Sequence, residues 1–141
     1  MSTLTAPAHL RIAPELKTFM AFDFGMKRTG AAVGNSLLKS AQPLGSIHAQ
    51  GDARFVKIAD HVREWHPDAL VVGVPFYPDG AEHENTLRAR RFGRQLQGRF
   101  NLPVFEVDER YSTTEALSLG ADDADAASAC IILEQFLRSL D

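Results

Sequence analysis

The sequence predicts an α/β domain: a mixed five-stranded sheet, three antiparallel strands and then parallel ones, with helices on both faces. Three observations predict it. Three short apolar runs with short connections open the readable part of the chain. Beyond them, helical apolar periods alternate with continuous apolar runs, as in strand–helix–strand crossovers. Finally, 141 residues, 45% hydrophobic and 23% charged, are enough for one core and ordinary for one globular domain.

Each element has a local cause. Residues 1–17 carry two prolines and no steady period, and are expected to form a loose leader ahead of a domain over 18–141. Thr18–Phe24 (TFMAFDF) is aromatic, short and closed by Gly25, so it predicts a strand. Residues 30–34 (GAAVG) form a second run between glycines, and 41–48 (AQPLGSIH) a third, with Pro43 marking an edge or irregular start. Phe55, Ile58, Ala59, Val62 and Trp65 then fall on one helical face, with Asp52 placed to cap the start and Pro67 to stop it. Ala69–Val74 (ALVVGV) reads as a strand buried on both faces. Turn chemistry follows in PFYPDG. Residues 83–98 predict a second helix with Ala89, Phe92 and Leu96 inward, and 103–108 (PVFEVD) a fifth strand. Ser112 and Glu115 have capping-box spacing, so a short helix is expected there. A last amphipathic helix carries Ala126, Ala129, Cys130, Leu133, Phe136 or Leu137, and Leu140.

Composition excludes several roles. No apolar run approaches the length of a membrane span, and the first residues lack a secretory pattern. One cysteine permits neither an internal disulfide nor a cysteine-based zinc cluster, which fits a reducing, cytoplasmic setting. The net charge of −3 means that any grip on nucleic acid must come from a local patch.

A few residues stand out chemically. Asp23 lies inside a strand between Phe22 and Phe24, where a carboxylate is costly unless paired, metal-bound or turned to water. Gly25 after it allows close backbone approach, and Lys27 and Arg28 add two cations, a set suited to a metal-bound phosphate. Asp108, Glu109 and Arg110 close the fifth strand. Ser112, Thr113 and Thr114 add hydroxyls at a helix N-terminus, where phosphate oxygens are well received. Asp122, Asp123 and Asp125 open the last helix, where acids complement the dipole, and helical spacing puts Asp125 nearest the core. Arg88, Arg90, Arg91, Arg94 and Arg99 lie in a stretch, 85–105, with no acid of its own, and predict a phosphate-binding face. The histidines show no metal-ligand spacing. Cys130 and Trp65 read as packing residues.

Four segments together resemble the YqgF (RuvX) family of RNase H-like nucleases. They are Asp23-Phe-Gly-Met-Lys-Arg-Thr-Gly30; Gly73-Val-Pro75 followed by Asp79-Gly80; Asp108-Glu-Arg-Tyr-Ser-Thr113; and Asp125-Ala-Ala-Ser-Ala-Cys-Ile-Ile-Leu133. The resemblance implies an RNase H-like fold and places the catalytic, metal-binding carboxylates on Asp23, Glu109 and Asp125. It implies Mg²⁺ or Mn²⁺ as cofactor, hard cations that take oxygen ligands. Lys27, Arg28, Arg88, Arg90, Arg91, Arg94, Arg110, Ser112 and Thr113 are then expected to meet nucleic acid. Two departures are visible. The connection 110–124 is shorter than is usual in the family and acidic at its end, and Val74 replaces the usual leucine.

The function so implied is metal-dependent phosphodiester hydrolysis on structured RNA, in 5′-end maturation of the pre-16S ribosomal RNA, in the cytoplasm and in contact with ribosomal particles. A DNA junction resolvase is the second reading. It would need a dimer to cut two strands symmetrically; the expected state is a monomer or a homodimer. A third is a non-catalytic RNA-binding assembly factor. Nucleotide phosphate chemistry is set aside, because neither a glycine-rich phosphate loop nor a second domain is present.

Overall fold

The computed structural model describes residues 13–109 and 123–140. Among these residues five strands and three helices follow one another as β1 (Thr18–Phe24), β2 (Thr29–Asn35), β3 (Ala41–Ile47), α1 (Gly51–Trp65), β4 (Ala69–Val74), α2 (Glu84–Phe100), β5 (Val104–Asp108) and α3 (Ala124–Arg138). The sheet order is β3-β2-β1-β4-β5, antiparallel across β3, β2 and β1 and parallel across β1, β4 and β5. The expected short helix after Ser112 lies outside the described residues.

β1 is central, and alternation sends its side chains to two cores. Phe19 and Ala21 join Val71, Ile132, Leu133 and Phe136 under α3, while Met20 and Phe22 join Ile58, Val72, Phe92 and Leu96 under α1 and α2. All six residues of β4 are buried, as a parallel strand covered on both faces requires. Leu16, just before β1, packs against the α3 side, and Asp68 accepts hydrogen bonds from the backbone amides of Lys17 and Thr18, both at 2.9 Å. Among the described residues no helix is long and apolar enough to cross a membrane.

The helix ends refine the expectation. Asp52 does not cap α1. The N-cap is Gln50, without a side-chain bond, and Asp52 in the first turn instead accepts from Arg99 at 2.7 Å. α1 ends at Trp65, with His66 before Pro67 as its C-cap in the left-handed region at φ 48°. α2 is capped by His83, whose Nδ1 accepts from the amide of Asn85, while Thr86 Oγ1 accepts from the amide of His83. The expected inward face of α1 holds with Arg54 added to it, a buried cation that periodicity does not anticipate.

Candidate active site

Asp23 is the next-to-last residue of β1 and points to the α3 side, opposite to Phe22. Its antiparallel partner on β2 is Gly30. On the other flank the parallel register pairs Phe22 with Val72, so Gly73 is next along β4. A carboxylate therefore stands between two glycines, and both are required by space. A Cβ on Gly30 would collide with the carbonyl of Asp125 and lie 2.9 Å from Ala126 N. One on Gly73 would collide with Glu109 Oε1, 2.8 Å from its Cδ, and press on Ile132. Through these gaps the first turn of α3 and the Glu109 side chain reach Asp23. Because β1, β4 and β5 are parallel, Asp23 and Glu109 meet at one edge, the carboxyl ends of the strands.

Asp23 and Glu109 share a hydrogen bond. Burial, the Asp23 partner and the nearby charges of Asp23 and Asp108 push Glu109 up to about 10. At neutral pH Glu109 thus keeps its proton and donates it to Asp23. Burial also raises Asp23. The bond from Glu109 offsets part of that, the charge of Asp125 adds to it, and a bond from Ser128 offsets it again. Ser128 is buried in α3 at 3% exposure, one turn beyond Asp125.

Asp125 is held from the other side. Ser46 Oγ lies 2.7 Å from Asp125 Oδ2 and 3.0 Å from Asp123 Oδ1, and Arg28 Nε stands 3.2 Å from Asp125 Oδ2. Asp123 caps α3 by accepting from the amide of Ala126 at 3.0 Å. Asp125 thus sits within electrostatic reach of Asp23 but turned towards Arg28 and Ser46. Among the described residues no three acidic, histidine or cysteine side chains stand together as a ready metal site.

The raised carboxyl predicts a stability signature. Unfolded, Glu109 ionises near 4.5; folded, near 10. Between these values the native state binds the extra proton, so its contribution to stability falls as pH rises. Glu109→Gln keeps the donor and removes that loss. In EDTA it should melt higher than wild type at pH 8, by a margin that grows from pH 5 to 9 at no more than about 1.4 kcal/mol per pH unit. Thermal melts across this range test it; a margin independent of pH would contradict the shared proton.

The predicted cations are distributed unevenly. Of the two cations expected to meet phosphate after β1, Arg28 is instead paired with Asp125, and Lys27 is exposed on the same turn. Arg110, Ser112, Thr113 and Asp122 lie outside the described residues. On α2 the expectation of arginines without partner acids is corrected for three of the five, because the fold brings acids from outside the stretch. Arg88 pairs with Glu84 at 2.6 Å, and Arg99 with Asp52 while lying over Phe55. Arg90 is held by Glu82 and, at 3.3 Å, by Glu106, over the Phe76 ring. Arg91 and Arg94 are exposed and form no ion pair among the described residues.

Sequence reasoning did not single out Ser128 or Ser46. Ser128 stands three residues after Asp125, on one helical face with it, so helical spacing could have found it. Nothing local marks Ser46; the β2–β3 register, which pairs it with Gly30, puts it there.

Residues 17–139 match the family RuvX, described as Holliday junction resolvase. A protein of Albidiferax ferrireducens named "Putative pre-16S rRNA nuclease" is 75% identical over 134 residues, covering 95% of this chain and 85% of that one. A Polaromonas protein of the same name is 66% identical over 138 residues, covering 98% and 99%. The Thermus thermophilus RuvC structure in complex with a Holliday junction superposes with a TM-score of 0.54 at 16% identity, covering 86% of this chain and 93% of that one. At that identity the likeness is one of fold, and the fold is RNase H-like. With the match running from the residue before β1 to the end of α3, and with close relatives along nearly its whole length, the chain belongs to the RuvX family.

Proposed function

We propose that this protein is a metal-dependent phosphodiesterase that cleaves structured RNA, acting in the cytoplasm on the 5′ end of the pre-16S ribosomal RNA. The observation that carries this is the half-buried, hydrogen-bonded Asp23–Glu109 pair at the carboxyl edge of the sheet, with Asp125 brought within electrostatic reach by α3. Acids withdrawn this far from water and gathered this closely cost stability, which makes sense at a site built for another task. The names of the close relatives support the choice of RNA.

The donors fit a hard divalent cation such as Mg²⁺ or Mn²⁺: they are all oxygen, and the pair holds one proton that a cation in the same place would displace. Asp23, Glu109 and Asp125 would hold it, and when bound it supplies an activated water and neutralises charge on the phosphodiester oxygens. The chain's own residues do the rest. Ser128 holds the Asp23 carboxylate in orientation. Arg28 restrains Asp125, and a phosphate oxygen drawn to Arg28 would release it. Lys27 and Arg110 lie in the segments following Asp23 and Glu109, where a scissile phosphate would arrive, and Ser112 and Thr113 would add hydroxyl donors. Arg91 and Arg94, exposed and without an ion pair among the described residues, would hold more distant phosphates.

The deciding assay offers precursor 16S RNA, single-stranded RNA and four-way DNA junctions side by side, with Mg²⁺ or Mn²⁺, to wild type and Asp23→Asn. Cleavage of the precursor that Asp23→Asn loses is the expected result. Preferential cutting of the junction would favour the resolvase reading, which the family description supports. Tight RNA binding with no cleavage by either protein would make this an assembly factor.

The arginines give a separate prediction. Arg91→Gln with Arg94→Gln should lower the salt slope of RNA affinity by about 1.4–1.8, since two fewer counterions are released, while cleavage at saturating RNA changes little. Arg90→Gln should instead lower stability, because its partners Glu82 and Glu106 are left facing each other. Equal slopes for wild type and the double variant would mean that this face is merely solvated.

A further inference from the structure

Among the described residues Arg54 is the one charged side chain that is buried, at 6% exposure. It belongs to no motif and touches none of the three carboxylates. Its guanidinium lies 4.6 Å from the centre of the Phe24 ring and 5.9 Å from that of Phe92. All its hydrogen bonds among the described residues go to backbone carbonyls: Nε donates to Ala49 at 3.2 Å, and Nη2 donates to Gly25 at 2.9 Å and to Met26 at 2.5 Å. No carboxylate pairs with it there. Burying a cation with no carboxylate beside it among the described residues is costly, and its carbonyl bonds hold a particular segment.

Gly25 and Met26 begin the turn between β1 and β2, directly after Asp23 and Phe24. The turn is tight: a Cβ on Gly25 would lie 2.5 Å from the carbonyl oxygen of Arg28. Met26, Lys27 and Arg28 are all exposed, between Phe24, packed on the core, and Thr29, which is buried. Holding two successive carbonyls from behind restricts the backbone of the turn, and a planar, multi-donor guanidinium suits that task. The same turn delivers Arg28 to Asp125.

We propose that Arg54 is a positioning residue: through the carbonyls of Gly25 and Met26 it fixes the turn that presents Lys27 and Arg28 beside the carboxylates. The functional part of this inference rests on the proposed nuclease function, in which those two cations meet phosphate.

The test uses the full chain with Arg54→Met, Arg54→Gln and Arg54→Lys. Gln, with one short amide donor group, provides a folded variant if the Met protein fails to fold. The first readout is backbone order by 15N relaxation. In the Met or Gln variant, order parameters at 26–28 should fall from the rigid range, about 0.85, towards about 0.6, while β1 and β4 stay as ordered as in wild type. Arg54→Lys should not restore the order, because one ammonium does not reproduce the fork. The second readout is affinity, in EDTA, for an RNA fragment spanning the 5′ end of the 16S precursor. Lys27→Ala should weaken binding about fivefold in wild type but less than about twofold when Arg54 is already replaced, because the turn no longer presents the lysine. Unchanged order at 26–28 overturns the positioning role, and so do binding losses that simply multiply. If Lys27→Ala changes nothing in wild type, it is the phosphate-binding role of the turn that fails, and the relaxation result still decides the role of Arg54.

Discussion

Asp23→Asn is expected to abolish cleavage, by about 10³-fold or more, in a protein that stays folded and melts no lower than wild type in EDTA. The substitution keeps the shape of the side chain, so the packing around Phe22, Gly30 and Gly73 has no reason to change. What disappears is negative charge at a half-buried position where burial and the charge of Asp125 already oppose ionisation. Without metal that charge is a cost to the fold; with metal it is a ligand. Loss of activity together with retained or raised stability is therefore the combined signature of a functional carboxylate. Activity is read with contaminant-free enzyme and precursor RNA, stability by calorimetry. Undiminished turnover would remove Asp23 from the catalytic role, and a large drop in melting temperature would make it a structural residue.

The second large effect is expected at Gly30. A Cβ there meets backbone, the carbonyl of Asp125 and the amide of Ala126, which cannot rotate away as a side-chain tip would. α3 would have to lift from β2 at the end that carries Asp123, Asp125 and the contact with Ser46. Gly30→Ala should cost about 3 kcal/mol or more and disturb the site along with the fold. Gly98 is the control. It lies in α2 with no atom near the position of a Cβ. Gly98→Ala should raise stability by about 0.5–1 kcal/mol through helix propensity and leave activity unchanged. Urea titration of both variants decides the matter. A Gly30→Ala protein as stable as wild type would show that α3 can be displaced cheaply.

Much of the architecture was legible in the chain because its cause is local. The aromatic run of β1, the wholly apolar β4 and the face of α2 built from Ala89, Phe92 and Leu96 announce their periods within a few residues. The motif segments named Asp23, Glu109 and Asp125 as candidates, and the parallel order of β1, β4 and β5 explains why the first two meet at one edge. The charge partners of the site were not legible. Glu82, Glu106 and Asp52 lie outside the arginine-rich stretch, and only the packing of α2 against its neighbours delivers them to Arg90 and Arg99. Ser46 reaches Asp125 across 79 positions of sequence, by strand register alone. Arg54 faces inward because the carbonyls of the β1–β2 turn and the rings of Phe24 and Phe92 surround it, an environment no spacing rule describes. Apolar periodicity repeats along the chain and survives in a one-dimensional reading. Electrostatic pairing depends on distances between segments far apart in sequence, and those distances exist only once the sheet has ordered its strands.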